Sequence, residues 1–404
     1  MQILLPTHAF SDKPRSGLHT VIWNTARVLA EEGHDVFVVA TYVELRDETV
    51  SSLAAKRIHL HSAGQFNMHN LNRPLSLLCF LIALRLRAKV RFDWIYVIDT
   101  SITPFHRWKL GAKLATRVLR PESDEIKELV TTGAWQYDRQ RKDAEEGWEE
   151  RHKPLWYRAL SLVGDLVFPL FNRKTHLDGA DLAFAQGRDT LAYWKDRLSC
   201  PVVYLPNGVE TEPFATREPA PRKSNRFVYL FVGRLAKRRG VFELIEAFQR
   251  LRRETDDVEL WLVGKGAADL THEVEQACAA DPERMIMFGE VPKEQIGPFF
   301  HACSALVDPA YFHGFSSCTL EGMYCGKPVI APLRGGTKDA VRNGIDGFLA
   351  DATDVDRLTE CLRTLQADRL AAAEMGRQGA ARVRAEFLWE HVIQTVILSF
   401  KQYR

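Results

Sequence analysis

The sequence lacks several features that would assign the protein to a class at once. Its seven cysteines form no C-x-x-C pair, so neither a zinc site nor a disulfide framework is indicated, and reduced, buried thiols of a cytoplasmic protein fit better. The net charge of +2 gives no reason to expect nucleic-acid binding. The first residues, MQILLPTHAF, have neither a basic flank nor a long apolar core, so we expect no signal peptide.

What the chain does contain is the composition of a globular protein with two cores. It has 404 residues, 46% hydrophobic and 26% charged, a length that suits two domains. The beginning reads as a βαβ unit: an apolar strand at 3–5, a helix that ends at Gly33, and the run VFVVA at 36–40. That run is too short for a buried helix and is typical of a parallel strand covered on both faces. The helix is predicted from the spacing of Leu18, Ile22, Ala26, Leu29 and Ala30.

The second half repeats this alternation of strand and helix. A polar stretch at 216–226 separates the halves. Predicted strands follow at 227–232, 259–266, 285–288, 304–308 and 328–331. The pattern therefore predicts a second doubly wound α/β domain, in which ligands bind beyond the carboxyl ends of the strands.

One stretch of the second half, 307–329, has the pattern of a ligand site. It reads as a buried strand, a loop around Gly314, and a helix that carries Glu321 and stops at Gly326. Amides at a helix N-terminus bind phosphate or sugar oxygens, and a carboxylate can accept hydrogen bonds from the two hydroxyls of a ribose. The alternative for this stretch taken alone is an ordinary strand–turn–helix unit.

Basic and glycine residues gather at the other strand ends of this half. Arg234 and Arg239 stand between a strand end and a helix start, where guanidinium groups can bind a pyrophosphate. The loop RGGTKD at 334–339 adds amides before another helix. Each feature alone could be a solvated turn, but their convergence at one sheet edge favours phosphate binding.

Taken in order, several segments of the chain resemble glycosyltransferase family 4, the retaining enzymes of GT-B fold. The matching segments are the P-x-S-G loop and EEGHDV near the start, PNGVE (206–210), FVGRLAKRRG (231–240), ELWLVGKG, MFGEVPKEQIGPFF (287–300), the stretch 307–329, and GGTKDAVRNGIDGFL (335–349). The resemblance implies two Rossmann-like domains that face each other across a cleft. The N-terminal domain, 1–207, would bind the acceptor and the C-terminal domain, 208–385, the sugar nucleotide. The last helix, within 386–404, would pack back on the first domain.

The resemblance also implies roles for individual residues. Arg234 and Arg239 would hold the pyrophosphate, Glu321 the ribose, and Ser316 and Ser317 the sugar or its phosphate. The other positions assigned to the donor are Ser16, Gly17, Asn207, Gly233, Gly264, Val291, Gly314 and Phe315. No metal or other cofactor is expected. The one Asp-x-Asp, Asp354 and Asp356, stands at a predicted helix start and is interpreted as a cap.

Two positions depart from the family pattern. His313 stands where the first of two paired glutamates is expected, eight positions before Glu321. One hypothesis is a donor sugar that a glutamate would repel, such as a uronic acid; the other is an altered hydrogen bond to a common sugar. The first domain also lacks the expected histidine after the predicted strand LVTTGAW, which offers Thr132 and Gly133. His106 could take that place, or it is only a loop residue.

The predicted function is therefore transfer of a sugar from a UDP- or GDP-sugar to a saccharide, glycolipid or natural-product acceptor, with retention. The alternatives are a nucleotide-sugar epimerase of GT-B fold and a catalytically silent binding partner. The segments 74–91 and 155–171 combine apolar and basic residues. This composition favours a lipid-linked acceptor and peripheral contact with the inner face of the membrane, although packing of 74–90 on the sheet is the alternative.

Overall fold

The computed structural model describes residues 1–12, 17–53, 55–62, 72–98 (72–77 as backbone), 105, 109–118, 179–215, 222–311 and 314–404. This part of the chain divides into two compact units. The first unit comprises the described residues of 1–206 together with Trp389–Arg404, and the second those of 207–388.

The described strands are, in chain order, β1 (Gln2–Ser11), β2 (Asp35–Glu44), β3 (Ile58–Ser62), β4 (Trp94–Val97), β5 (Lys113–Val118), β6 (Leu182–Ala185), β7 (Val202–Tyr204), β8 (Phe227–Val232), β9 (Val258–Val263), β10 (Met285–Gly289), β11 (Ala305–Val307), β12 (Val329–Pro332) and β13 (Gly347–Ala350). The described helices are α1 (Gly17–Glu31), α2 (Asp47–Leu53), α3 (Asn72–Arg87), α4 (Arg188–Lys195), α5 (Val241–Arg252), α6 (Ala268–Ala279), α7 (Gly297–Ala302), α8 (Ser317–Tyr324), α9 (Val355–Ala367), α10 (Arg369–Glu386) and α11 (Trp389–Gln402).

The first unit is built on a parallel sheet of order β3-β2-β1-β4-β5-β6-β7. Residues 36–40 of β2 are all buried, as expected for a strand covered on both faces. The final helix, α11, belongs to this unit: the Phe400 ring stacks on the Trp94 ring of β4, with the centroids 4.5 Å apart. Both side chains are fully buried, so α11 closes one side of this core.

The second unit is built on a parallel sheet of order β10-β9-β8-β11-β12-β13. Every residue of β9 is buried. The apolar residues of α5 form its buried face: Val241, Leu244, Ile245, Phe248 and Leu251. Two doubly wound α/β domains are therefore confirmed as the architecture.

The first unit departs from the expected elements in three places. β1 runs on to Ser11 instead of stopping at residue 5, because it pairs in register with β2 as far as Glu44. Leu18 is 42% exposed and does not belong to the buried face of α1. β5 was not predicted, since its sequence KLATRV mixes charged and apolar residues. The predicted strand LVTTGAW lies outside the described residues.

All seven thiols are free, and Cys79, Cys278, Cys303 and Cys361 are buried. In the described part of the chain, no helix is long and apolar enough to cross a membrane.

Candidate donor-binding site of the second domain

The candidate site lies at the carboxyl ends of two neighbouring strands in the second sheet. β8 lies next to β9 on one side and next to β11 on the other, so the chain order reverses between β8 and β11. Parallel α/β sheets bind ligands at such a point, because the loops after the two strands diverge there. These loops begin at Gly233 and at Asp308; the sequence placed Gly233, Arg234 and Arg239 after β8 and Gly314 after β11.

Glycines let the backbone of the strand ends pack closely. Gly264, which follows β9, has φ of 141°, and a Cβ there would lie 1.9 Å from the Gly233 carbonyl oxygen. At Gly233 a Cβ would lie 2.8 Å from Nη2 of Arg239. The guanidinium of Arg239 therefore lies directly on the end of β8, a position that a larger residue at 233 would block.

Arg239 is held in place by an acidic residue at the end of β11. Its Nη2 lies 3.5 Å from Oδ1 of Asp308, and the two side chains are 14% and 1% exposed. The hydroxyl of Thr319 on α8 donates to Oδ2 of Asp308 at 3.0 Å. Arg234, by contrast, is exposed. The site thus combines one guanidinium fixed by the protein with a second that reaches solvent.

The backbone also joins the two loops. Gly240 begins α5 with φ of 68°, and a Cβ there would lie 1.9 Å from the Pro309 carbonyl oxygen. The amide of Tyr311 donates to the Arg238 carbonyl at 3.1 Å. The Tyr311 hydroxyl donates to Oε1 of Glu243 at 2.5 Å. Together these contacts fix the chain just before residues 312–313.

The loop at 314–316 is tied down from both sides. The Asn207 side-chain amide donates to the Phe315 carbonyl at 3.0 Å. From the glycine-rich loop, Thr337 Oγ1 accepts from the Ser316 amide at 2.9 Å, and the Gly336 amide donates to the Gly314 carbonyl at 2.8 Å. The predicted convergence of these segments is therefore found in the structure.

Ser316 is the N-cap of α8, and its hydroxyl oxygen accepts from the Thr319 amide at 3.3 Å. Its side chain is buried, so its described contacts hold the loop. Ser317, the first residue of α8, is partly exposed. Direct contact of either serine with a donor stays a prediction.

Glu321 lies in the second turn of α8, and its side chain is only 6% exposed. It forms an ion pair with Lys293, from the turn that follows β10. The Nζ of Lys293 also lies 3.9 Å from Oε2 of Glu210. Burial would lower the pKa of the Lys293 ammonium, but the two carboxylates outweigh burial and raise it. Lys293 and Glu210 stand in segments that resemble the family, but no role was predicted for either residue.

The remaining predicted residues divide between described and undescribed parts of the chain. Val291 is partly buried against the core below β8 and β9, and Gly17 is the first residue of α1 in the first unit. Ser16, His106, Thr132, Gly133 and His313 lie outside the described residues, so their predicted roles stay predictions.

The Asp-x-Asp pair behaves as a helix cap. Asp354 is the N-cap of α9, and its carboxylate accepts from the Arg357 amide at 2.9 Å. Asp356 pairs with Arg250 of α5. Across the residues that the structure describes, no group of three or more His, Cys, Asp or Glu could hold a metal ion.

Comparison with known proteins finds sequence similarity to several synthases and transferases. Residues 214–382 match the family model of glycosyl transferases group 1. The chain is 28% identical over 271 residues to alpha-maltose-1-phosphate synthase of Mycolicibacterium smegmatis, covering 61% of this chain and 69% of the relative. It is 32% identical over 199 residues to the GDP-mannose-dependent alpha-(1-6)-phosphatidylinositol monomannoside mannosyltransferase of the same organism, covering 45% and 51%. For glycogen synthase of Mycobacterium tuberculosis the alignment covers 46% of the relative, so the chain spans about half the length of several relatives.

Solved structures match the whole chain. Sucrose-phosphate synthase from Thermosynechococcus elongatus has a TM-score of 0.70 at 19% identity, covering 99% of this chain and 98% of that one. HepE of Anabaena, in complex with UDP and glucose, has a TM-score of 0.67 at 17% identity and full coverage of both chains. At these identities the likeness shows the fold, and the GT-B fold class is confirmed.

Proposed function

Because residues 214–382 match the family model of glycosyl transferases group 1, we propose that the protein transfers a sugar from a nucleotide-sugar donor to a hydroxyl-bearing acceptor, with retention at the anomeric carbon. One observation carries the proposal. Arg239 lies at the end of β8, against the carboxylate of Asp308. The neighbouring strand β11 is followed by the loop that leads into α8, and the second turn of α8 carries the buried Glu321. The arginine and the helix N-terminus suit a diphosphate, and the carboxylate suits the hydroxyls of the ribose that follows it.

Different residues of the second domain bind different parts of the donor. Arg234 and Arg239 bind the pyrophosphate, the amides after Gly314 bind the sugar or its phosphate, and Glu321 accepts from the ribose hydroxyls. When the bond from the anomeric carbon to the phosphate oxygen breaks, its electron pair leaves with the diphosphate. The arginines and the N-terminus of α8 stabilise the charge that develops there.

Retention needs no protein nucleophile in this scheme. The acceptor oxygen bonds to the anomeric carbon on the face that the diphosphate leaves. The departing phosphate oxygen takes the proton of the acceptor hydroxyl, so the charges balance. Since the two arginines supply the positive charge, we propose that no divalent metal is required. Turnover unchanged by EDTA is the expected result, and loss of turnover that Mg²⁺ or Mn²⁺ restores would contradict it.

His313 is proposed to contact the donor sugar. An imidazole in place of a carboxylate removes a negative charge and would admit a sugar that carries one, such as a uronic acid. The test compares UDP-glucuronate with UDP-glucose for the native protein and for His313→Glu. Preference for the glucuronate that the substitution reverses supports the uronic acid. Equal turnover of both sugars, with ratios unchanged in the variant, leaves only an altered hydrogen bond to a common sugar.

For the acceptor, we propose a lipid-linked molecule reached at an anionic membrane surface. The support is the C-terminal half of α3, where Leu81 and Leu84 are 48% and 45% exposed. Arg85 and Arg87 in its last turn and Lys89 just after it are also exposed. Apolar side chains among cations favour adsorption to anionic lipid. Binding to phosphatidylglycerol vesicles, weakened by salt and absent with phosphatidylcholine, is expected. Equal recovery with both vesicle types would contradict this proposal.

A donor panel tests the function as a whole. Native protein is heated with UDP-, GDP- and ADP-sugars, and the donor that stabilises it is then followed for hydrolysis. A donor at 100 times its Kd stabilises a protein by about 2.7 kcal/mol, a clear shift in Tm. Stabilisation by one nucleotide class with slow release of free sugar is expected. Binding without hydrolysis or transfer indicates a silent binding partner, an epimeric sugar product indicates an epimerase, and no binding by any donor rejects the proposal.

A further inference from the structure

Glu321 forms an ion pair with a lysine that has no role in the proposed donor binding. Lys293, in the turn Lys293–Gln295, forms an ion pair with Glu321, and its Nζ lies 3.9 Å from Oε2 of Glu210. The same ammonium lies 5.8 Å from the centre of the Phe214 ring. Glu210 and Lys293 stand far from Glu321 in the sequence, yet all three side chains meet beside the second turn of α8.

The burial of this cluster makes its charges interdependent. The side chains of Glu321, Glu210 and Lys293 are 6%, 11% and 30% exposed. Two carboxylates and one ammonium leave a formal charge of −1. A buried carboxylate without a cation is strongly unfavourable, so removing the lysine would take the ammonium from Glu321 and leave its carboxylate near that of Glu210. The Phe214 ring near the ammonium favours the same charged state.

We infer that Lys293 is a positioning residue for the nucleotide, which holds the Glu321 carboxylate in the place where it accepts the ribose hydroxyls. The inference rests on the proposed function, since it takes Glu321 as the ribose ligand. The ion pair involves Oε1 of Glu321. Two carboxylate oxygens offer about four lone-pair sites, so the ribose can bind while the ion pair persists.

The charges of the cluster also indicate that Lys293 favours nucleotide binding. Without the ammonium, the cluster would carry two negative charges near the anionic diphosphate. The Glu321 side chain would then turn away from Glu210 or take up a proton, and in either case it would no longer accept from both hydroxyls. Lys293 therefore raises nucleotide affinity, and it acts only through Glu321 and the ribose.

The experiment measures Kd by calorimetry for UDP, GDP and ADP, and for the 2′,3′-dideoxy form of whichever binds best. The proteins are native, Lys293→Met, Lys293→Arg, Glu321→Gln and the Lys293→Met/Glu321→Gln double variant. Lys223→Met, an exposed lysine of the same domain, is the matched control. Inorganic pyrophosphate serves as a probe without a ribose, and its unchanged binding shows that a variant is folded.

We expect Lys293→Met to weaken the ribonucleotide at least about tenfold, as for a charged hydrogen-bond partner, and Lys293→Arg to restore most of the affinity. The dideoxynucleotide and pyrophosphate should bind native and Lys293→Met alike, and Lys293→Met should add nothing to Glu321→Gln. Unchanged or tighter ribonucleotide binding in Lys293→Met, or an equal loss for the dideoxynucleotide, overturns the inference while the proposed function stands. If native protein binds none of the three nucleotides, both fail.

Discussion

Replacing Arg239 by methionine would separate an effect on chemistry from an effect on stability at the proposed diphosphate site. The guanidinium is 14% exposed, and its Nη2 lies 3.5 Å from the carboxylate of Asp308, whose side chain is 1% exposed. Methionine keeps the length of the side chain but removes its charge and all its donors. The substitution would therefore take a cation from the proposed leaving group, and it also removes the guanidinium that lies against the buried Asp308 carboxylate.

The two effects have different expected sizes. Losing one donor to the developing charge costs on the order of 2.7–4 kcal/mol, so kcat should fall about 10²–10³-fold. For stability, a separation of 3.5 Å is long for a hydrogen bond, and Asp308 keeps its bond from Thr319 at 3.0 Å. We therefore expect a loss of only about 1–3 kcal/mol in the free energy of unfolding.

The assay combines steady-state kinetics with urea unfolding for Arg239→Met, Asp308→Asn and the double variant. Removing both charges should recover stability, because no buried ion is left alone. It should not recover kcat, because the leaving group still lacks its cation. A kcat of Arg239→Met within about threefold of native, or recovery of kcat in the double variant, would show that Arg239 serves the fold alone.

Three further substitutions have effects that the structure predicts. Asp346 is fully buried between two arginines; burial raises its pKa, but their hydrogen bonds and charges outweigh burial and lower it. Its stabilisation is present above the unfolded pKa of about 3.9 and is lost as pH falls through the folded pKa. Asp346→Asn should cost about 1–3 kcal/mol at pH 7 and flatten the dependence of urea midpoints on acid pH. Gly264→Ala puts a Cβ 1.9 Å from the Gly233 carbonyl, so thermal unfolding should show a loss of about 1–3 kcal/mol and calorimetry weaker nucleotide binding. Phe400→Ala removes the ring stacked on Trp94 and should cost about 3–5 kcal/mol, measured by urea unfolding.

Much of the second domain could be read from its sequence because its signals are local. Short apolar runs between amphipathic helices are sufficient to predict parallel strands, and β8 at 227–232 was predicted to the residue. A helix was expected to start just after Arg239, and Gly240 is the N-cap of α5 with φ of 68°. Asp354 was expected to cap a helix, and its carboxylate accepts an amide of the first turn. Each of these features depends on a few neighbouring residues.

Prediction from local sequence failed where the environment of a residue depends on contacts with distant parts of the chain. β5 escaped prediction because its polar residues hide the apolar pattern: Arg117 is buried, and its guanidinium donates to the carbonyls of Leu205 and Pro206 at 3.3 and 3.2 Å. Leu18 looked like a core residue by spacing, but the packing of α1 leaves it exposed.

The sequence was sufficient to predict the fold class, and it put the candidate site at the strand ends with Glu321 as the proposed ribose ligand. The tertiary structure alone decided the partners: Asp308 for Arg239, Asn207 for the loop before α8, and Lys293 for Glu321. The physical reason is that period and capping are short-range properties of the chain. A buried charge, by contrast, is compensated by whichever counter-charge the fold brings within a few ångströms, however far away it stands in the sequence.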